Sequence, residues 1–279
     1  MKIKNNIFDK KITKEFLNIL AVLELMLSLI LIFVNIPQNH KMILGIIFVF
    51  ILVLLYVLVW ISSNKINKLT LNINNSKIDI KYGNLFEEEG KKVITFNEYF
   101  DTCVDDNIIN KKSINGQFIL DKINNISDLD EYISTELNKR SKKFKVNSKR
   151  TEGKKNKFEL GTTIKYQDEF LLTAFTKFNS NNNAELSMQE YISFLIELWN
   201  ELDSLYSQDT VVIPLLGAGV TRFKGYDISQ QELLELILWT FKISKIKFAY
   251  PSKLCIVIHD SLKDKINLYK IREEYKNVI

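Results

Sequence analysis

VVIPLLGAGVTRF, residues 211–223, is the stretch on which the reading of this chain turns. An apolar run closed by a proline makes a buried strand, and two glycines then bracket a single alanine. The chain has only nine glycines in 279 residues, so this pair needs a reason. Glycine lets successive backbone amides turn toward one concave point and lets a ligand approach without meeting a Cβ. Beyond the carboxyl end of a strand in an open α/β sheet, that is the chemistry of a phosphate cradle. No Gly-Lys-Ser/Thr follows, so it is not a P-loop, and the third glycine of the dinucleotide fingerprint is missing. On Gly-Ala-Gly alone, a tight turn that binds nothing stands as the alternative.

The surroundings predict an α/β domain. LTLNI (69–73) and KIDIKY (77–82) alternate as a half-buried hairpin, VITF (93–96) is a short apolar strand, and GTTIKY (161–166) and FLLTAFTKF (170–178) flank a QDE turn. Residues 130–144 make an amphipathic helix. Ser187-Met-Gln-Glu190 and Ser229-Gln-Gln-Glu232 are capping boxes, each opening an amphipathic helix. KLCIVIH (253–259) is another buried strand. Continuous apolar strands separated by helices predict a mostly parallel sheet covered on both faces. The Asn-rich NSNNNA (179–184) reads as a surface connector.

Upstream, the chain is of another kind. MILGIIFVFILVLLYVLVWI (42–61) is twenty residues without a charge. At 1.5 Å per residue it spans about 30 Å, the hydrocarbon thickness of a bilayer. LMLSLILIFV (25–34) reaches membrane length when extended back to Phe16, and no small-x-small cleavage site precedes Pro37. The two runs predict a tight transmembrane hairpin. Lys2, Lys4, Lys10, Lys11 and Lys14 precede the first span, Lys65 and Lys68 follow the second, and the connector offers only Lys41, which puts both termini in the cytoplasm. The expected organisation is a cytoplasmic segment (1–15), a transmembrane hairpin (16–62), a linker (63–69) and a cytoplasmic domain (70–279). Glu24 carries two readings of equal standing. An ionisable group within a span is expensive and functional as a rule, and with Ser28 one turn on it would line a polar path in an oligomer. If the span begins near Leu25, Glu24 sits at the interface instead.

Composition excludes several classes. Cys103 and Cys255 are expected as thiols, and with only His40 and His259 there is no metal-ligand spacing. A net charge of +5 is mild. The one dense basic stretch, KRSKKFKVNSKR (139–150), reads as a solvated linker or a strip facing anionic lipid rather than a nucleic-acid site.

VVIPLLGAGVTRF ahead of a helix resembles the diphosphate-binding loop of macro domains, and KIDIKYGNLFEEEGKKVITFNEYFDT (77–102) resembles the opening of that fold, with Asn97 at the end of its second strand. With DDNIINKKSINGQF (105–118) and two preceding spans, the order of parts resembles the membrane-anchored effectors of type II Thoeris anti-phage systems over nearly the whole chain. The resemblance implies a macro-like three-layer α/β/α domain with a mixed, mostly parallel sheet behind a two-helix transmembrane hairpin. It also implies a mechanism. A partner TIR-domain, NAD-consuming enzyme makes histidine–ADP-ribose or a related ADP-ribose conjugate, the macro-like domain binds it, and the helices oligomerise in membrane lipid at the bacterial inner membrane. No catalytic residue and no cofactor beyond that ligand is implied.

Carried onto this chain, the diphosphate falls to the backbone of Gly217, Ala218, Gly219, Val220 and Thr221, with Arg222 adding charge. Asn84, Leu85 and Phe86 fall toward adenosine, Asn97 and Asp101 toward the distal ribose, and Ser113, Asn115 and Gly116 toward the conjugated group. Gly83-Asn84-Leu85 replaces the family's common Gly-Asp-Ile, and the three consecutive glycines of the catalytic-type macro loop give way to SINGQF (113–118), read as a longer polar loop. The first departure removes the acidic contact that the family makes to the adenine amino group, and the second points to binding without hydrolysis. Asn97 and Asp101 have local alternatives as a loop cap and a helix cap, and Arg222 as a surface residue. A tethered ADP-ribosyl hydrolase and a non-enzymatic membrane scaffold are the competing functions.

Overall fold

The computed structural model describes residues 4–179 and 181–276. They divide into two compact units, one of residues 4–67 and 267–276, the other of residues 68–266.

The first unit opens with helices α1 (Lys10–Phe33) and α2 (Gln38–Asn64), both long and apolar enough to cross a membrane. α1 starts six residues before the predicted span because Asp9 caps it, its Oδ1 accepting from the Lys11 amide at 2.8 Å. At the charged end of the pair the rings of Phe16 and Tyr56 meet edge to face at 5.2 Å. Tyr56 donates to the Ile7 carbonyl and Trp60 Nε1 to the Asn5 carbonyl at 3.0 Å, so each ring satisfies its polar tip on the N-terminal segment. The Asn64 side chain accepts from the Asn5 amide at 2.9 Å. Glu24 lies mid-helix on the exposed surface of α1, one turn from Ser28, whose hydroxyl donates to the Leu25 carbonyl.

The second unit is a mixed sheet between helices. In chain order it comprises β1 (Lys68–Ile73), β2 (Ser76–Tyr82), β3 (Lys91–Asn97), α3 (Ile114–Lys122), α4 (Ile126–Lys139), β4 (Phe144–Val146), β5 (Asn156–Phe158), β6 (Thr163–Tyr166), β7 (Phe170–Phe178), β8 (Ala184–Leu186), α5 (Met188–Leu205), β9 (Val211–Pro214), β10 (Arg222–Phe223), α6 (Gln230–Ile243) and β11 (Leu254–Ile258). The sheet runs β1-β2-β11-β9-β3-β7-β8-β10, with β6 also on β7. β2, β11, β9, β3 and β7 are mutually parallel, while β1, β6 and β8 pair antiparallel at the margins. The central strands β9 and β11 are buried at every position, as strands covered on both faces must be. On one face α3 and α4 contribute Phe118, Ile119, Leu129, Ile133 and Leu137 to a cluster with Ile94, Phe96, Leu172, Ala174, Val212 and Val257. Elsewhere α5 packs on α6, where buried Trp199 meets Phe241 edge to face at 5.3 Å and donates to Thr240 Oγ1 at 3.1 Å. Both predicted capping boxes form, at Ser187/Glu190 and Ser229/Glu232.

Three local expectations change. SINGQF is not a loop: Ser113 caps α3, accepting from the Gly116 amide, and the rest is the helix's first turns. The basic stretch 139–150 is not a linker but the end of α4 and the first strand of the β4–β5 hairpin. The last helix, α7 (Leu268–Tyr275), leaves the α/β unit and belongs with α1 and α2, although the sequence suggests one domain to the end. There Glu15 accepts from Arg272 Nη2 at 2.9 and 3.2 Å and from the Tyr269 hydroxyl at 3.1 Å, while Asn267 Nδ2 donates to Asn5 Oδ1 at 2.6 Å. Burial, reinforced by Glu15, pushes the Tyr269 phenol far up, so it stays protonated and donating.

Candidate functional site

Because the central strands are parallel, the carboxyl ends of β3, β7 and β9 lie at one edge, and a cavity of about 370 Å³ opens there. Thr95 and Asn97 from β3, Phe175, Thr176 and Phe178 from β7, and Pro214 from β9 line it, with walls from residues 106–110, 112–115, 182–184, 215–217 and 219–222.

The glycine loop forms one wall. Buried Tyr191 on α5 donates to the Leu216 carbonyl at 2.9 Å, and burial pushes its phenol so high that it remains a donor. Its ring meets Phe223 edge to face at 5.3 Å. Phe223 explains Gly217: a Cβ there would lie 3.0 Å from the Phe223 ring, and φ is +87°, a conformation that suits glycine. Gly219 differs, since a Cβ there would meet nothing within 4 Å. The amides of Gly219, Val220 and Thr221 have no backbone acceptor among the described residues, and these three residues line the cavity together with Arg222. Ala218 turns away to line a neighbouring hollow, its amide tied to the Leu215 carbonyl at 3.2 Å.

Across the cavity the predicted residues separate. Asn97, Ser113 and Asn115 line it. Asp101 does not. It is buried beneath, its carboxylate accepting from Asn97 Nδ2 (2.8 Å), Arg150 Nη2 (2.7 Å) and the Lys154 amide (2.7 Å). Its role is to orient Asn97, whose own Oδ1 accepts from the Tyr99 amide at 3.0 Å. Gly116 is also off the wall. A Cβ there would strike the Asn110 carbonyl at 2.3 Å, so the glycine serves the close packing of α3 on the preceding loop. Leu85 and Phe86 open a 3-10 turn (Leu85–Glu87) that Asn84 caps, its Oδ1 accepting from the Phe86 amide, and none of the three lines the cavity.

The wall is electropositive. Lys112 and Arg222 are its cations, and its one acid, Asp106, is already answered: the Lys111 amide and ammonium hold its carboxyl below the usual range. Lys112 escaped notice in the sequence because it is one of many lysines among asparagines. Asn182 and Asn183 escaped because an Asn-rich run looks like filler. The usable signal was positional, since the loop after a central parallel strand must border the ligand edge. Among the described residues no cluster of His, Cys, Asp and Glu could hold a metal ion.

The family model of the macro domain of Thoeris protein ThsA matches residues 78–259. Over 284 aligned residues, covering 99% of this chain and 94% of its counterpart, the chain is 37% identical to Thoeris protein ThsA of Bacillus amyloliquefaciens strain Y2. Among solved structures, a variant of the Oceanobacillus iheyensis macrodomain with ADPR superposes with a TM-score of 0.44 at 15% identity, covering 76% of this chain and 97% of that one. The same macrodomain with ADP gives 0.44 at 14%, covering 76% and 95%.

Proposed function

This chain belongs to the ThsA family of Thoeris proteins and carries that family's macro domain, and from that premise we propose that it is a ligand-gated membrane effector of bacterial anti-phage defence. Its ligand is an ADP-ribose-type messenger, histidine–ADP-ribose by the family resemblance, released by a partner TIR-domain enzyme. Binding drives the transmembrane helices to oligomerise in the inner membrane, both termini cytoplasmic, and the damaged membrane ends the infection together with the cell. Glu24 and Ser28, one turn apart on the exposed face of α1, then line a polar path between copies.

The observation that carries this reading is the glycine loop: amides without an acceptor among the described residues and Arg222 on one wall, Lys112 on another, around a cavity at the carboxyl edge of parallel strands. A diphosphate answers both cations and the amides together. Binding without hydrolysis is favoured because Asp106, held as a carboxylate by Lys111, is a poor general base, and no histidine or cysteine lines the cavity. Gating has an energetic bound. Moving an assembly from 1:99 to 99:1 requires a preference of about 5.5 kcal/mol for the active state. Several liganded copies acting together can supply it.

The test uses the full chain reconstituted in vesicles loaded with a quenched dye. Histidine–ADP-ribose should bind without turnover, increase the oligomer size and release the dye. Binding without either effect refutes gating, and loss of the nucleotide on incubation would replace the sensor with a hydrolase.

A further inference from the structure

The densest positive charge of the protein gathers on the β4–β5 hairpin. Residues 139–158 hold ten lysines and arginines against one acid, Glu152, a net +9 in a chain whose whole net charge is +5. The rest of the protein is therefore net acidic. Six of the ten cations are answered: Lys139 by Glu136, Arg140 and Lys142 by Glu201, Arg150 by Asp101, Lys154 by Asp130 and Lys157 by Glu98. Lys143, Lys145, Lys149 and Lys155 are exposed and have no ion-pair partner among the described residues.

Apolar side chains stand out among these lysines. β4 reads Phe144-Lys145-Val146, and strand alternation puts Phe144 and Val146 on one face. Phe144 leans on the buried Phe158 ring at 5.7 Å yet is 45% exposed, and Val146 is 64% exposed. The hairpin is tied down from behind. The Phe158 amide donates to the Glu98 carbonyl at 2.8 Å, Asn147 Nδ2 to the Tyr99 hydroxyl at 2.9 Å, and Arg150 to Asp101 at 2.7 Å. Because Glu98 directly follows β3, these bonds hang the hairpin at the carboxyl edge of the parallel strands. The chain enters the α/β unit at that same edge, since Lys68 of β1 pairs with Lys81 near the end of β2. Only residues 65–67 separate β1 from α2.

We infer that the β4–β5 hairpin rests on a bilayer surface of anionic headgroups, with the four free lysines on the headgroup phosphates and Val146 and Phe144 entering the headgroup layer. This inference rests on the membrane reading of α1 and α2. Lysine ammoniums are point charges that suit a diffuse anionic surface. Both arginines of the stretch, the side chains that would grip nucleic-acid phosphates bidentately, are committed to buried acids. Val146 offers a base nothing to stack on. The short tether from α2 gives the lipid surface a high effective concentration, so a weak contact suffices.

The test uses the full chain in nanodiscs of phosphatidylcholine alone or of phosphatidylcholine with phosphatidylglycerol. Val146→Cys carries an environment-sensitive dye in a Cys103→Ser background, the other thiol, Cys255, being buried. Dye emission should shift to the blue in anionic discs and not in neutral ones, and the shift should fade as salt is raised. Each lysine near an anionic surface contributes about fivefold to binding, so replacing Lys143, Lys145, Lys149 and Lys155 together with Gln should weaken the contact roughly five-hundredfold and abolish the shift. An unchanged melting temperature checks that this variant keeps its fold. Equal emission in the two discs would overturn the inference and leave the membrane reading intact. A shift produced by a single-stranded oligonucleotide but not by anionic discs would overturn it in favour of nucleic acid. A chain that enters neither disc would overturn the membrane reading along with it.

Discussion

Gly219→Asp separates charge from shape at the glycine loop. A new Cβ meets nothing within 4 Å there, and the residue is not among those with positive φ, so neither clash nor backbone strain enters. What enters is a carboxylate beside three unpaired amides. If those amides hold a phosphate, the new charge lies ~5 Å from it, and an effective dielectric near 20 gives about 3 kcal/mol of repulsion per charge pair. The loop is open to solvent, and counterions at physiological salt screen roughly half of that, leaving about 1.5 kcal/mol or a tenfold loss in affinity. Titration calorimetry with histidine–ADP-ribose at two salt concentrations is the assay, with the melting temperature followed in parallel. The loss should shrink as salt rises, and melting should stay within a degree or two of the parent. Unchanged affinity at low salt would refute the phosphate cradle and return Gly-Ala-Gly to a turn that binds nothing.

Two further outcomes follow from buried charge. Glu15→Ala deprives Arg272 and Tyr269 of their acceptor. The groups are about one-quarter to one-third exposed, so the cost is about 1 kcal/mol, and a double-mutant cycle with Arg272→Ala should show most of it as coupling, whereas additive effects would deny the contact. Burial raises the Glu98 carboxyl against the opposing pull of Lys157 and the Phe178 amide. A raised acid is protonated more readily in the folded than in the unfolded state, so its contribution to stability falls as pH rises from about 4.5 through the folded value, and the full cost is present above it. The melting temperature of Glu98→Gln minus that of the parent should therefore grow with pH across that window. A constant difference would show that the carboxyl is not raised.

What was legible in the sequence was what local pattern encodes. An uncharged run of membrane length announces a long apolar helix, and continuous apolar strands such as β9 and β11 announce a sheet covered on both faces. What was not legible depends on partners distant in the chain. Arg150 belongs to a stretch that looks like a solvated basic linker, and distant partners draw it inside: Asp101, forty-nine residues earlier, the Tyr99 ring beneath it, and Asn182. Gly116 looks like a loop residue because glycine is a poor helix former, yet it sits in α3 because the Asn110 carbonyl leaves no room for a Cβ. α7 is eight residues long, too short for its apolar positions to say which unit they cover. At the site, the loop after β9 was found by its glycines, whereas the loop after β7 had only asparagines to show.

The placement of α7 decides how the α/β unit is joined to the rest of the chain. Residues 68–266 are preceded by α2 and followed by α7, and both of these belong to the helical unit. The α/β unit is therefore an insertion into the helical unit, not a tail appended to it. A tail hangs from one covalent joint and can swivel about it; an insertion is held at two, so strain arising inside it reaches the helices through both. It also follows where scissors should cut. A fragment ending at residue 279 carries away α7 with Arg272 and Tyr269 stripped of Glu15, while a cut at Ile266 releases the α/β unit and leaves the helical unit its own last helix.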